Sequence, residues 1–217
     1  MYRTVIEKLV LPAGDIISGT KISKQLGYWR EVAKLPEDTI TKFSRGNLNQ
    51  ILDFATKSIP FYSDISLNHI QEPEERLLSF PIMQKEDIRN NLENLLSTRK
   101  SDLIEYSSSG SSGIQGTVYM NKKEQSIIRA IMLLWWEWAG YGFDKQTIQT
   151  GITPKRGFLK SLKDLILKVN YVSAFKISED EILDLLNKYR QRKNLFFAGY
   201  PSSLNAFAEI ALKHSLK

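Results

Sequence analysis

Cysteine is absent from the 217 residues, and histidine occurs only at His69 and His214. The first absence excludes disulfides, thiolate metal sites and a cysteine nucleophile. The second leaves little imidazole for zinc or triad chemistry, and both histidines read as surface residues. No run approaches the 18 or more apolar residues of a membrane span. The N-terminal patch Leu9-Val10-Leu11 is broken by Pro12 and Gly14-Asp15 and flanked by Glu7, so it lacks the form of a signal peptide. The expectation is a cytoplasmic chain with no membrane span.

What is present is ordinary globular material: 42% hydrophobic and 25% charged residues. The length fits one large or two small domains and buries most of its unfolded surface. The net charge of +6 is unevenly placed. Residues 1–150 carry 18 basic and 18 acidic side chains, and residues 151–217 carry 12 and 6. Lys155, Arg156, Lys160, Lys163 and Lys168 form one basic group; Lys188, Arg190, Arg192 and Lys193 form another. Such charge suits nucleic acid, a membrane surface or an anionic ligand. No nucleic-acid reading module or aromatic platform accompanies it, so nucleic-acid binding is the least favoured function. Solvated helix faces account for most of it.

Periodicity predicts helices interleaved with short strands and no internal repeat. Leu48, Ile51, Leu52 and Ala55 predict a helix over 47–58, ending before Pro60. Ile88, Leu92, Leu95 and Leu96 predict another over 82–96, with Glu86 and Asp87 in its first turn. Residues 103–106 and 117–120 read as strands. Asn121 and Glu124 form a variant capping box for a helix over 122–139. Ile127, Ile128, Ile131, Met132, Leu134, Trp135 and Trp138 cover most of its girth, which predicts burial nearly all round. A strand over 147–150 and a helix over 158–169 follow, the latter with Phe158, Leu159, Leu162, Leu165 and Ile166 inward and Lys160, Lys163 and Lys168 left for solvent. Ser178 and Glu181 cap a helix carrying Ile182, Leu185, Leu186 and Tyr189. Residues 195–198 read as a buried strand, and Ser202 or Ser203 caps a last helix. Strands alternating with helices define an α/β class.

Residues 107–113 are all serine or glycine. Glycine lets successive N–H groups converge and serine adds hydroxyl donors, which suits a polyanion such as triphosphate. The run is not a Walker loop, a Rossmann fingerprint or a hydrolase elbow. Serine-glycine runs are also common flexible linkers. Its place between two strand-like segments, inside strongly patterned structure, favours a phosphate loop.

Ser108-Ser109-Gly110-Ser111-Ser112-Gly113 resembles the phosphate-binding loop of adenylate-forming enzymes. Ile59-Pro60-Phe61-Tyr62 and Phe80-Pro81-Ile82-Met83-Gln84-Lys85-Glu86-Asp87 resemble a preamble of the phenylacetate–coenzyme A ligase-like branch, which includes proteins of capsular polysaccharide biosynthesis. Leu11-Pro12-Ala13-Gly14-Asp15 and Gly199-Tyr200-Pro201-Ser202-Ser203-Leu204 are similar to its capsular-type members. The likeness spans essentially the whole chain. It implies the N-terminal part of a large adenylation domain, with mixed sheet segments and packed helices. Residues 1–100 would be a mainly helical segment, and 101–217 an α/β portion carrying the loop.

The implied reaction is ATP- and Mg²⁺-dependent activation of a carboxylic acid as acyl-adenylate, then transfer to a thiol such as coenzyme A. Ser108, Ser109, Gly110, Ser111, Ser112 and Gly113 would hold the nucleotide phosphates; Tyr200, Pro201 and Ser202 would border an acyl pocket. No residue is singled out as catalytic or as a metal ligand. Coenzyme A would also be a mild use of the basic third. Trp135, Trp136 and Trp138 could line an acyl pocket, but at helical spacing they read as core. Ile114 and Gln115 stand where the family commonly has Lys-Pro, and the later motifs Tyr-Gly-x-Thr-Glu and Thr-Gly-Asp and a C-terminal catalytic lysine do not occur in this sequence. The alternative is a noncatalytic remnant or scaffold. If the fold normally continues, an apolar face or strand edge should be exposed and the chain should self-associate. Sedimentation velocity is expected to show species larger than a monomer; a compact, stable monomer would contradict that expectation.

Overall fold

The alternating patterns resolve, in a computed structural model, into a mixed α/β chain. The structure describes residues 1–107, 116–152, 157–175 and 177–216, with only the backbone at 158–160. Two compact units are present, one of residues 15–132 and one of residues 1–14 with 133–217. No described helix is long and apolar enough to cross a membrane.

The chain starts with α1 (Tyr2–Val5), a π-turn (Ile6–Val10) and α2 (Leu11–Ser18). Pro12 has no N–H to give, and just before it the helix widens so that Leu11 N donates to Ile6 O. α2 ends at Gly19, whose φ of 65° needs no Cβ, with Thr20 N donating to Asp15 O at 2.9 Å.

In the unit of residues 15–132, α3 (Ile22–Val32) is capped from a distance. Its N-cap position is Lys21, which supplies no side-chain cap. The Asp15 carboxylate does so instead, accepting from Ile22 N (2.9 Å), Ser23 N (2.8 Å), Ser23 Oγ and Thr20 Oγ1 (2.7 Å). Next comes α4 (Glu37–Ser58), far longer than the predicted 47–58. Pro36 sets its entry and Glu37 and Asp38 favour its first turn, signals that outweigh the weak apolar pattern there. Arg76 of α5 (Pro73–Leu77) reaches back to α4, bonding Asn49 at 2.7 Å and pairing with Asp53.

The single helix predicted over 82–96 is two: α6 (Lys85–Asn90) and α7 (Leu92–Leu95). Asn91 breaks it, its side-chain amide donating to Asp87 O at 2.9 Å in competition with the backbone. Two strands, β1 (Ile104–Ser107) and β2 (Thr117–Met120), then pair antiparallel. They lead into α8 (Lys122–Trp138). The predicted capping box is present: Asn121 Oδ1 accepts from Lys123 N and Glu124 N, both at 2.9 Å, and Glu124 Oε2 accepts from Asn121 N at 2.8 Å. All-round burial of α8 is not observed. Ser126, Ala130 and Leu134 form one buried stripe, whereas Ile128, Met132, Trp135 and Trp138 are exposed.

In the other unit, β3 (Gln146–Gly151) lies between β4 (Val169–Ser173) and β5 (Leu195–Ala198) in a parallel sheet. Thr147 to Gly151 run in register with Val169 to Ser173, and Gln146 to Gln149 with Leu195 to Ala198. Between the strands run α9 (Phe158–Ile166) and α10 (Glu179–Tyr189), and α11 (Pro201–Lys213) follows β5. Ile148 is fully buried beside Ile182 and Tyr189 of α10 and Phe207 of α11. Trp136, Tyr141 and Phe196 form an aromatic cluster with centroids 5.3–6.0 Å apart, Trp136 and Tyr141 edge to face and Phe196 tilted against both.

The predicted helix over 158–169 stops early. Lys168 takes φ 54°, ends the helical turn and lets Val169 open β4, a strand not anticipated. Leu162 and Leu165 are exposed while Asp164 is buried, so the face turned inward is not the leucine face. The predicted roles of Phe158, Leu159 and Lys160 fall on side chains outside the described residues. The Ser178–Glu181 box is as predicted, with Glu181 N donating to Ser178 Oγ at 3.2 Å and Ser178 N to Glu181 Oε2 at 2.8 Å. α11 is not capped by Ser202 or Ser203, because Pro201 at its first position starts the helix two residues sooner.

The Asp15 cap yields a stability prediction. Burial alone would raise the Asp15 pKa, but the Ser23 and Thr20 hydroxyls and the Ser23 and Ile22 amides outweigh it and hold the carboxyl below the ordinary aspartate range. A folded pKa below the unfolded one stabilises fully above the unfolded value, and that contribution disappears as pH falls through the folded pKa. Asp15→Ala should cost about 1–3 kcal/mol by leaving helix-end donors unpaired. Urea melts should show the gap between wild type and variant shrinking as pH drops below about 4.

Candidate functional site

Ser108, Ser109, Gly110, Ser111, Ser112 and Gly113, with Ile114 and Gln115, lie outside the described residues. Their attachment points are described. Ser107 and Thr117 stand opposite each other in the β1–β2 ladder, with their hydroxyls 3.1 Å apart. Strand alternation puts Glu105 and Tyr119, the pair two residues further down, on the same face. Glu105 accepts from Ser107 Oγ at 3.2 Å and from Tyr119 OH at 3.1 Å. Lys100 Nζ sits 5.1 Å from the Tyr119 ring centroid, and the Tyr119 hydroxyl raises the Lys100 pKa. On the other face Tyr106 OH accepts from the Gln125 amide of α8. The segment thus leaves and re-enters through a closed, polar strand pair.

A second candidate region belongs to the unit of residues 1–14 and 133–217. β3 is followed by β4 on one side and has β5 on its other side, so the strand order reverses at β3. In parallel sheets, ligands favour the crevice beyond the strands' carboxyl ends at such a reversal. Tyr200, Pro201 and Ser202 lie immediately beyond that end of β5. Tyr200 N donates to Thr150 Oγ1 at 3.1 Å, and its half-exposed ring tilts against Phe175 at 5.9 Å. Pro201 and Ser202 are exposed, whereas Ser203 is buried and donates to Ala174 O at 3.3 Å. Gly199 permits the turn: a Cβ there would sit 1.9 Å from Thr150 Oγ1.

Other candidates have structural roles. Trp136 is packed against Tyr141 and Phe196, and Trp135 and Trp138 face solvent. Burial, with Glu137 and Asp144 nearby, drives the Tyr141 hydroxyl pKa strongly upward, so this tyrosine stays neutral. His69 is exposed. His214 and Lys213 contact Glu179 at 3.0 and 2.8 Å, and Lys213 first, then His214, lowers the Glu179 pKa. In the basic third, Lys168 and Lys188 lie over the Tyr2 and Tyr189 rings. Lys155 and Arg156 lie outside the described residues. Among the described residues no cluster of three or more His, Asp or Glu side chains could hold a metal. Mg²⁺ usually binds through phosphates with one or two carboxylates, so an ion carried by a nucleotide needs no such cluster.

Comparison with protein-family models, curated proteins and solved structures finds no match for the chain. The mixed α/β class therefore rests on the chain's own elements.

The turn after β5 can be tested directly. Thr150→Val removes the acceptor for Tyr200 N and should cost about 1 kcal/mol in chemical denaturation. Gly199→Ala should cost more, about 1–3 kcal/mol, because the new methyl overlaps Thr150. Equal, negligible effects would mean that this turn is not held by Thr150.

Proposed function

We propose that the chain carries the nucleotide-binding part of an AMP-forming acid–thiol ligase. In that reaction a carboxylate oxygen attacks the α-phosphorus of ATP, and the bond to the bridging oxygen breaks to release pyrophosphate. A thiol such as coenzyme A then attacks the acyl carbon, and AMP leaves. The carrying observation is the Ser107–Thr117 pair. It makes residues 108–116 the connection of a hairpin within one unit, where a domain linker would leave its flanks unpaired. Hairpin connections usually take about 2–5 residues, and this one of nine is longer than that.

Within this reading the N–H groups and hydroxyls of Ser108 to Gly113 position the β- and γ-phosphates and stabilise charge on the departing pyrophosphate. Mg²⁺ would neutralise phosphate charge. Tyr200, Pro201 and Ser202 would border the acyl group. The family likeness of the loop, the Pro60-Phe61-Tyr62 and Phe80-Pro81 segments and the Gly199-Tyr200-Pro201 turn supports the same assignment.

The test is a calorimetric MgATP titration together with ATP–pyrophosphate exchange over a panel of carboxylic acids. Hydrogen bonds to charged groups are worth about 1.5–3 kcal/mol each, so Ser111→Ala with Ser112→Ala should weaken MgATP binding about tenfold or more. Unchanged affinity in that variant would remove the phosphate-loop role. MgATP binding without exchange for any acid would favour the noncatalytic scaffold.

A further inference from the structure

A cavity of about 250 Å³ in the unit of residues 15–132 is lined by four lysines. Lys21 and Lys24 come from the start of α3, and Lys122 and Lys123 from the first turn of α8. The two helix starts are bound together: Ser126 Oγ accepts from Lys21 N at 3.0 Å and donates to Lys122 O at 2.6 Å. Lys122 Nζ donates to Ser18 O at 3.2 Å. Gly19 leaves room for it, since a Cβ there would lie 3.0 Å from that ammonium.

The cluster lacks counter-charge. Among the described residues, no carboxylate forms an ion pair with any of the four ammonium groups. The carboxylates close in sequence are already engaged: Asp15 accepts the four donors described above, and Glu124 accepts from Asn121 N. Asp15 also occupies the first amides of α3, so the attraction comes from side-chain charge and not from a free helix end. Four like charges around one hollow repel each other, and a bound polyanion would relieve that repulsion.

We propose that this cavity binds a small oligophosphate, a ligand carrying two or more linked phosphate groups, at a place separate from the serine-glycine segment. The volume is at the lower edge of small-molecule sites, which fits a compact polyanion. Lysine ammoniums serve phosphate as mobile point charges. A concave arrangement focuses their field inward, unlike the extended stripe that follows a nucleic-acid backbone.

Tripolyphosphate is the probe, and lysine acetylation of the full chain read by mass spectrometry is the local readout. At a tenfold excess over its dissociation constant, acetylation of Lys24 and Lys123 should slow about tenfold, while Lys42 and Lys57 remain unaffected. Tripolyphosphate should also raise Tm in wild type and much less in Lys24→Ala/Lys123→Ala, and 0.5 M salt should reduce the rise, as screening at about that strength requires. Ser111→Ala/Ser112→Ala should retain the protection, which separates this site from the proposed nucleotide loop. Four results would overturn the proposal: no selective protection, its disappearance in the Ser111/Ser112 variant, equal protection by citrate, or stronger protection by a short DNA duplex at equal phosphate concentration.

Discussion

In the unit of residues 15–132, the pairing of Ser107 with Thr117 sets the register of the β1–β2 ladder at the base of the serine-glycine segment. It brings the two flanks of the serine-glycine segment together and marks where β2 begins. Asn121 then falls where its side chain can cap α8, and the first turn of α8 brings Lys122 and Ser126 to the beginning of α3. There Asp15 satisfies the amides that α3 cannot satisfy itself. A shift of one residue in the ladder would turn Glu105 and Tyr119 to the opposite face and displace that sequence of contacts.

The unit of residues 1–14 and 133–217 is organised by β3, among the described residues the one strand with a partner on both edges. Its Ile148 anchors the apolar layer under α10 and α11, and its Thr150 holds the turn that follows β5. The same strand thus sets both the core and the region where the sheet offers a crevice. Among the described residues of this unit, Lys168 and Lys188 lie over tyrosine rings.

Much of this was legible in the sequence where the signal is local. The Asn121–Glu124 and Ser178–Glu181 boxes need only residues three apart, and four of the five described strands are short runs of β-branched or aromatic residues. Errors arose where context overrode pattern. Asn91 divided an apparently continuous helix, and the apolar end of α9 ran into Val169 and hid β4. The girdle of apolar residues on α8 suggested complete burial, but Ile128, Met132, Trp135 and Trp138 are exposed, while Ser126, Ala130 and Leu134 are buried and Trp136 packs on Tyr141 and Phe196. The lysine cavity had no sequence signal at all, because its two halves are about a hundred residues apart and are joined by hydrogen bonds at Ser126 and Ser18. The serine-glycine segment was legible by composition and family likeness, and the structure adds the closure at its base.

The most direct test of the central claim is a crystal structure of the chain with Mg²⁺ and a non-hydrolysable ATP analogue. The account predicts β- and γ-phosphate density against the amides and hydroxyls of residues 108–113, with the Ser107–Thr117 pair intact below it. Phosphates bound elsewhere, with that segment making no contact to the nucleotide, would contradict it.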